Sequence, residues 1–277
     1  MRLLPALVFL FLTAFVSCKK NDTFIPLKKV VAYNDIIETL PPVLKAVKTS
    51  ISDVIGGFYS ALPYRYYETN KNYPLLIFVH GGGQIGNGNI DLPLVLNDGV
   101  PRLLAAKTFP PNFQVDGKNY SFIILAPQFK RYPSNEEVNV FIKYAKKFFR
   151  VDTTRIYMSG LSMGGIITSD IGAQHTLSLA AIVPMAGVFS GSDINSKCQR
   201  IATGNLPVWA FHNSKDPSID PKNSQNFVEG INIFSPAIAA RLTMFDTYGH
   251  DAWTQAIDPA YKENGINIYE WMLQYSR

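Results

Sequence analysis

Of 277 residues only two are cysteine and four are histidine, and just 17% carry a charge. Scarce histidine and cysteine leave little for a metal centre. His80, His175, His212 and His250 show neither the H-x-x-x-H nor the H-E-x-x-H spacing, so no metal is expected. The net charge is +5, yet Lys and Arg cluster no further than pairs such as Lys19-Lys20, Lys28-Lys29 and Lys146-Lys147. That is a solvated surface, not a nucleic-acid stripe, and no nucleic acid is expected as a partner. Internal repeats and low-complexity tracts are absent. Only one window, near the N-terminus, is continuously apolar, which excludes a polytopic membrane protein. What is present is a composition 47% hydrophobic and 13% aromatic. It excludes a disordered chain, a coiled coil and a collagen-like repeat, and allows a sizeable core.

The N-terminus stands apart. Met1-Arg2 is followed by the apolar run Leu3 to Val16, interrupted only by Pro5 and Thr13. It is too short to span a bilayer comfortably and fits the apolar region of a signal peptide. Ser17-Cys18 follows, and Lys19-Lys20-Asn21-Asp22 turns the chain polar. The segment resembles a bacterial lipoprotein signal, which implies removal of residues 1–17 and lipidation of Cys18. The expected location is then a bacterial membrane, outer membrane included, reached through the lipid alone. Ordinary secretion with cleavage nearby is the alternative. With Cys18 lipidated, Cys198 is left as an unpaired, inert thiol. Residues 18–55, with Pro26, Pro41 and Pro42, read as a tether and irregular lead-in, and 56–277 as one folded domain.

In that domain, short β-branched or aromatic runs recur: Phe58–Leu62, Leu75–Val79, Phe122–Ala126, Arg155–Ser159, Ala180–Met185, Val208–Phe211 and Leu242–Phe245. From Leu75 on they are largely apolar, as strands buried on both faces must be. Helical patterns lie between them. Glu136 to Phe149 places Val138, Phe141, Ile142 and Ala145 on one face behind a Ser134 cap, and Ile266 to Tyr275 reads as the last helix. Strands alternating with helices predict an α/β fold, a mostly parallel sheet with helices on both faces.

The strongest chemical signal is Gly160-Leu161-Ser162-Met163-Gly164-Gly165, between the strand Arg155–Ser159 and the helical stretch Ile166–Ala173. A serine on so tight a strand-to-helix turn needs small neighbours, and the turn pushes its hydroxyl out of the sheet. The helix N-terminus beneath it leaves the Met163 N–H free to face a developing oxyanion. A second signal, His80-Gly81-Gly82-Gly83, follows a buried strand and supplies a second backbone donor from Gly82 or Gly83. Gly81, Gly83 and Gly86 also spell a dinucleotide fingerprint, but Gln84 to Pro93 reads as a loop where that motif needs a helix.

A nucleophilic serine needs a base and an orienting acid, in the chain order serine, acid, histidine. His250, on a loop after the strand Leu242–Phe245, is the natural base. His80, His175 and His212 read as structural histidines bonding their own loops. Asp216, just past the strand Val208–Phe211, is the preferred acid, with Asp220 in reserve and Asp251 behind it.

These blocks, together with Gly249-His250-Asp251-Ala252-Trp253, resemble the α/β-hydrolase superfamily over about residues 56–277. The nearest likeness is to compact carbohydrate esterases of the acetylxylan and feruloyl type and the predicted peptidases related to them. The resemblance implies Ser162 as nucleophile, His250 as general base then acid, Asp216 as orienter, and Met163 with Gly82 or Gly83 as oxyanion donors. It further implies a serine carboxylester hydrolase without cofactor, acting on esters that decorate plant-type polysaccharides. Asn213 stands where such proteins often carry glycine. The cysteine of a dienelactone-type nucleophile and the aspartate of a dehalogenase are both excluded by Ser162. A serine peptidase of the same fold and a non-catalytic binding protein are the rival readings. Gln84, Tyr132 and Trp253 are candidate substrate contacts, and Trp253 has a competing reading as core under the histidine loop.

Overall fold

The computed structural model describes residues 36–277. The signal-peptide reading, Cys18 and the first part of the tether lie outside the described residues. Ten strands run in chain order: β1 Val43–Val47, β2 Ile55–Leu62, β3 Tyr73–Val79, β4 Phe113–Val115, β5 Lys118–Tyr120, β6 Ile123–Phe129, β7 Val151–Leu161, β8 Ala181–Met185, β9 Trp209–Lys215 and β10 Arg241–Tyr248. The helices are α1 Gly99–Ala105, α2 Asn135–Phe148, α3 Met163–Gln174, α4 Ile194–Thr203, α5 Lys222–Asn232, α6 Trp253–Ala256 and α7 Ile268–Leu273.

Eight strands form one sheet in the order β1-β2-β6-β3-β7-β8-β9-β10, while β4 and β5 make a separate hairpin. Pairings from β6 through β10 are parallel, and β2 pairs antiparallel with both β1 and β6. The predicted runs fall on these strands because a parallel strand covered on both faces is apolar at every position. Along β3, Leu75, Ile77 and Val79 pack on one face among α2, α3, α4 and α5. The alternate residues Leu76 and Phe78 pack on the other, among α1, α6 and α7. Helix α2 starts where expected: the Ser134 Oγ accepts from the Glu137 N–H at 3.3 Å, and the Glu137 carboxylate accepts from the Ser134 N–H at 2.7 Å. The last helix is shorter than predicted, because Asn267 caps it by accepting from the N–H groups of Tyr269 and Glu270.

The lead-in needs one correction. Residues 18–55 were expected to be irregular up to Gly56, but β1 pairs with β2 from Val43↔Leu62 to Val47↔Phe58. Its own pattern is weak because it is an edge strand, half exposed and opened by Pro41-Pro42, and the neighbouring strand supplies the order. Chain packing begins earlier still, since the buried Glu38 carboxylate accepts from the Arg65 N–H at 3.3 Å.

The sheet has one reversal. From β3 the chain passes to β6 on one side, and from β7, on the other side of β3, it passes to β8. In open α/β sheets ligands bind outside the carboxyl ends of the strands at such a switch point. Here that crevice is flanked by the loop beginning at His80 and the turn at Ser162.

Candidate active site

Strand register brings the two glycine-rich segments together. Val79 is opposite Gly160 across β3 and β7, so the loop after β3 and the turn after β7 emerge side by side. At the turn, Ser162 adopts φ 52° and ψ −118°, a conformation that costs a non-glycine residue roughly 1–3 kcal/mol. The neighbouring strand β8 and the following helix hold it there: the Ser162 N–H donates to the Met185 carbonyl at 2.8 Å, and the Ile166 N–H of α3 donates to the Ser162 carbonyl at 3.1 Å. The small neighbours are required by contact. A Cβ on Gly160 would lie 2.4 Å from the Gly164 carbonyl oxygen, and one on Gly164 would lie 2.1 Å from that of Val79. Met163 opens α3, so its N–H has no carbonyl one turn back to bond.

The register continues across the sheet through Leu161↔Met185, Met185↔Phe211 and Phe245↔Asn213. The ends of β9 and β10 therefore reach the same edge as Ser162. Ser162 Oγ is 2.8 Å from His250 Nε2, and His250 Nδ1 is 2.6 Å from Asp216 Oδ2. The Asp216 side chain is fully buried, and its Oδ1 accepts from the N–H groups of Ser218 at 2.7 Å and Ile219 at 3.2 Å. Burial alone would raise the Asp216 pKa. The bonds from His250 and from those backbone groups outweigh it and hold the carboxyl below its ordinary value. An ionised carboxylate only accepts, so Nδ1 of His250 carries the hydrogen and Nε2 is left to accept the Ser162 O–H.

The other acid candidates are engaged elsewhere. Asp220 is exposed and accepts from the Lys222 N–H at 2.9 Å, and Asp251 binds Thr254 at the start of α6. Asn213 does not occupy a turn. It lies buried within β9, and its Nδ2 donates to the Gly249 carbonyl at 2.8 Å, tying the acid-bearing strand to the histidine loop. His212, read as a structural histidine bonding its own loop, does so, with Nε2 3.0 Å from Asp216 Oδ2, and also reaches α5, with Nδ1 2.7 Å from Ser224 Oγ. The sequence signal for it was the four-residue spacing to Asp216 at a strand end.

His80 pins the glycine loop. Its Nδ1–H donates to the Gly81 carbonyl at 2.7 Å, and its Nε2 accepts from the Phe129 N–H of β6 at 3.0 Å. Burial pushes its pKa down to about 4, so the ring is neutral near pH 7. Gly82 and Gly83 then turn through a short 3-10 segment with open space on their side-chain positions. A residue the sequence reading missed organises the rest of this loop. Gln128, fully buried at the end of β6, donates to the carbonyls of Gln84 at 2.9 Å and Asp91 at 2.7 Å and accepts from the Gly88 N–H at 2.8 Å.

The three candidate substrate contacts separate. Gln84 is buried and its amide donates to Asp98 Oδ2 at 2.7 Å, so that donor is committed to the loop. Trp253 is 9% exposed and stands edge-on to His250 with ring centroids 5.2 Å apart, in one apolar cluster with Phe245 and Ile257. Tyr132 is 46% exposed. Away from the site, Cys198 is buried and unpaired, and burial pushes its thiol up to about 11. Among the described residues no group of three or more His, Cys, Asp and Glu side chains is arranged to hold a metal ion.

No family model matches the chain. Over 94 residues it is 32% identical to a bifunctional acetylxylan esterase/xylanase of Neocallimastix patriciarum, a match covering 33% of this chain and 13% of that protein. Among solved structures, a feruloyl esterase module from Clostridium thermocellum superposes with TM-score 0.58 and 17% identity, over 80% of this chain and 85% of that one. A fluorophosphonate-binding serine hydrolase of Staphylococcus aureus superposes with TM-score 0.60 and 13% identity, over 84% and 99%. The fold shared with these enzymes is the α/β-hydrolase fold.

Proposed function

We propose that the chain is a serine carboxylester hydrolase working through an acyl-enzyme. The observation that carries this reading is the unbroken run of hydrogen bonds from the strained Ser162 through His250 to the buried Asp216. As Ser162 Oγ attacks an ester carbonyl, its proton passes to His250 Nε2, and the imidazolium is held by Asp216. Negative charge collecting on the carbonyl oxygen meets the N–H groups of Met163 and of Gly82 or Gly83. The same Nε2–H is then given to the departing alcohol. Water, deprotonated by His250, attacks the acyl-enzyme and returns Ser162 with release of the acid. No step calls for a cofactor.

The substrate class in this reading is esters on polysaccharides or their fragments. It is supported by the short match to an acetylxylan esterase/xylanase and the fold shared with a feruloyl esterase module. The location in this reading is a bacterial membrane, with Cys18 as the lipid-bearing residue, supported by the apolar run Leu3 to Val16 and the polar turn after Cys18. A fluorophosphonate probe should label wild type at Ser162 and leave Ser162→Ala unlabelled. Short-chain p-nitrophenyl esters should be cleaved and the matching anilides left nearly untouched. Acetylated and feruloylated oligosaccharides then test the substrate class. Labelling elsewhere, or anilides cleaved as fast as esters, overturns the reading.

A further inference from the structure

Asp216 Oδ2 has two imidazoles on it. His250 Nδ1 approaches at 2.6 Å from the loop after β10, and His212 Nε2 at 3.0 Å from within β9. The second contact is not a by-product of packing at a protein surface, because both side chains are completely buried. His212 Nε2 also lies 3.2 Å from the Ile219 carbonyl. A carboxylate and a carbonyl are both pure acceptors, so Nε2 must carry a hydrogen. Nδ1 is then a lone pair, and Ser224 Oγ at 2.7 Å must be its donor. The titratable groups facing His212 are Asp216 and, beyond it, His250; from α5 the facing group is the Ser224 hydroxyl. Burial outweighs the attraction of Asp216 and keeps the ring neutral.

We infer that His212 is a positioning residue for the reaction, acting through Asp216: its Nε2–H holds the oxygen that His250 needs, and Ser224 anchors the ring by donating to Nδ1. The inference rests on the reading of Ser162, His250 and Asp216 given above. Its physical content is twofold. A carboxylate with backbone donors only on Oδ1 is free to tilt about its Cβ–Cγ bond, and the bond from His212 to Oδ2 restrains that tilt. A second donor on Oδ2 also withdraws negative charge from the oxygen facing His250, which tempers the basicity passed on to the imidazole. Removing the donor should therefore slow turnover and make His250 easier to protonate. A buried ring that only fills space would do neither.

The test uses the full folded chain and a p-nitrophenyl ester across the pH range. His212→Leu keeps an apolar volume without a donor. It should lower kcat by roughly 10- to 100-fold with KM little changed, a loss of the size seen when a partner behind a reacting group is removed. The acid limb of kcat/KM should move up by about half a pH unit. His212→Gln, whose Nε2 can reach the same oxygen, should recover most of kcat and return the acid limb. Ser224→Ala leaves the ring and removes only the donor that anchors Nδ1, so it should shift both readouts the same way by less. If His212→Leu folds poorly, the Gln and Ala variants carry the test alone. The inference is overturned if kcat per labelled active site and the acid limb stay at wild-type values in the Leu or Ala variants, whatever happens to their melting temperature. It is overturned equally if Gln fails to restore the limb. Ser162→Ala separates the two failures: inactive, with His212 variants unchanged, it removes only this inference, whereas an active Ser162→Ala removes the functional reading beneath it.

Discussion

The turn that carries Ser162 and the pair of loops that carry Asp216 and His250 meet at one point but are held in different ways. The turn is a steric object. Six consecutive residues set it, and its fit depends on a missing Cβ at Gly160 and Gly164 against backbone oxygens 2.4 and 2.1 Å away. The loop pair is a hydrogen-bonded object. Asp216 and His250 are 34 residues apart, and their geometry depends on side-chain bonds from Asn213, His212 and His250, two of which join segments far apart in the chain. Steric parts tolerate almost no substitution and resist pH. Hydrogen-bonded parts tolerate shape changes but answer to protonation and to loss of a single donor.

The largest effect should come where the two parts touch. Ser162→Ala and His250→Ala should each cost roughly 10⁵- to 10⁶-fold in kcat, and the double variant little more, because the pair acts as a unit. Independent losses in steady-state rates, multiplying in the double variant, would break the comparison at its centre. Next, Asp216→Asn should keep the fold and cost about 10³- to 10⁴-fold by presenting the wrong histidine tautomer, while Asp220→Asn should be nearly neutral. A damaging Asp220→Asn in the same assay would move the acid to the start of α5.

On the steric side, Gly164→Ala should destabilise by about 3 kcal/mol or more, since the new methyl meets the Val79 carbonyl and backbone must shift. Denaturant melts check it. His80 brings a pH dependence to the glycine loop. Its folded pKa of about 4 lies below the ordinary 6.5, so between those values the unfolded chain binds the extra proton. The contribution of His80 is complete above about pH 6.5 and is lost as pH falls towards 4, a change of order 3 kcal/mol. His212, also held low by burial, adds to the same window, so the readout is the share removed by His80→Gln when melts at pH 4.5 and 7 are compared. A slope unchanged by His80→Gln would place the acid sensitivity elsewhere. The smallest effect is expected of Asn213→Ala, which removes one bond to the Gly249 carbonyl, about 1 kcal/mol in stability. Activity falling far more than stability would show that the bond aims His250.

What the amino-acid sequence determines by itself is whatever a few neighbouring residues decide. The Ser162 turn is legible because its glycines are consecutive with it, and strands β3, β6, β7 and β8 because burial on both faces writes an apolar run into each. The cap of α2 is legible because Ser134 and Glu137 are three residues apart. Edge strand β1 is not, because half its surface is solvent and its order comes from β2. The choice of Asp216 over Asp220 and Asp251 is a tertiary decision, since all three lie near strand or loop ends and only packing buries one of them against His250. The same holds for Gln84, whose amide is taken by Asp98, and for Trp253, whose ring is folded against the imidazole. His212 illustrates the limit most directly. Its four-residue spacing to Asp216 is in plain view, but whether the buried imidazole turns its Nε2–H onto Asp216 depends on Ser224 of α5 coming to rest against Nδ1, and that is decided only when the helix packs on the sheet.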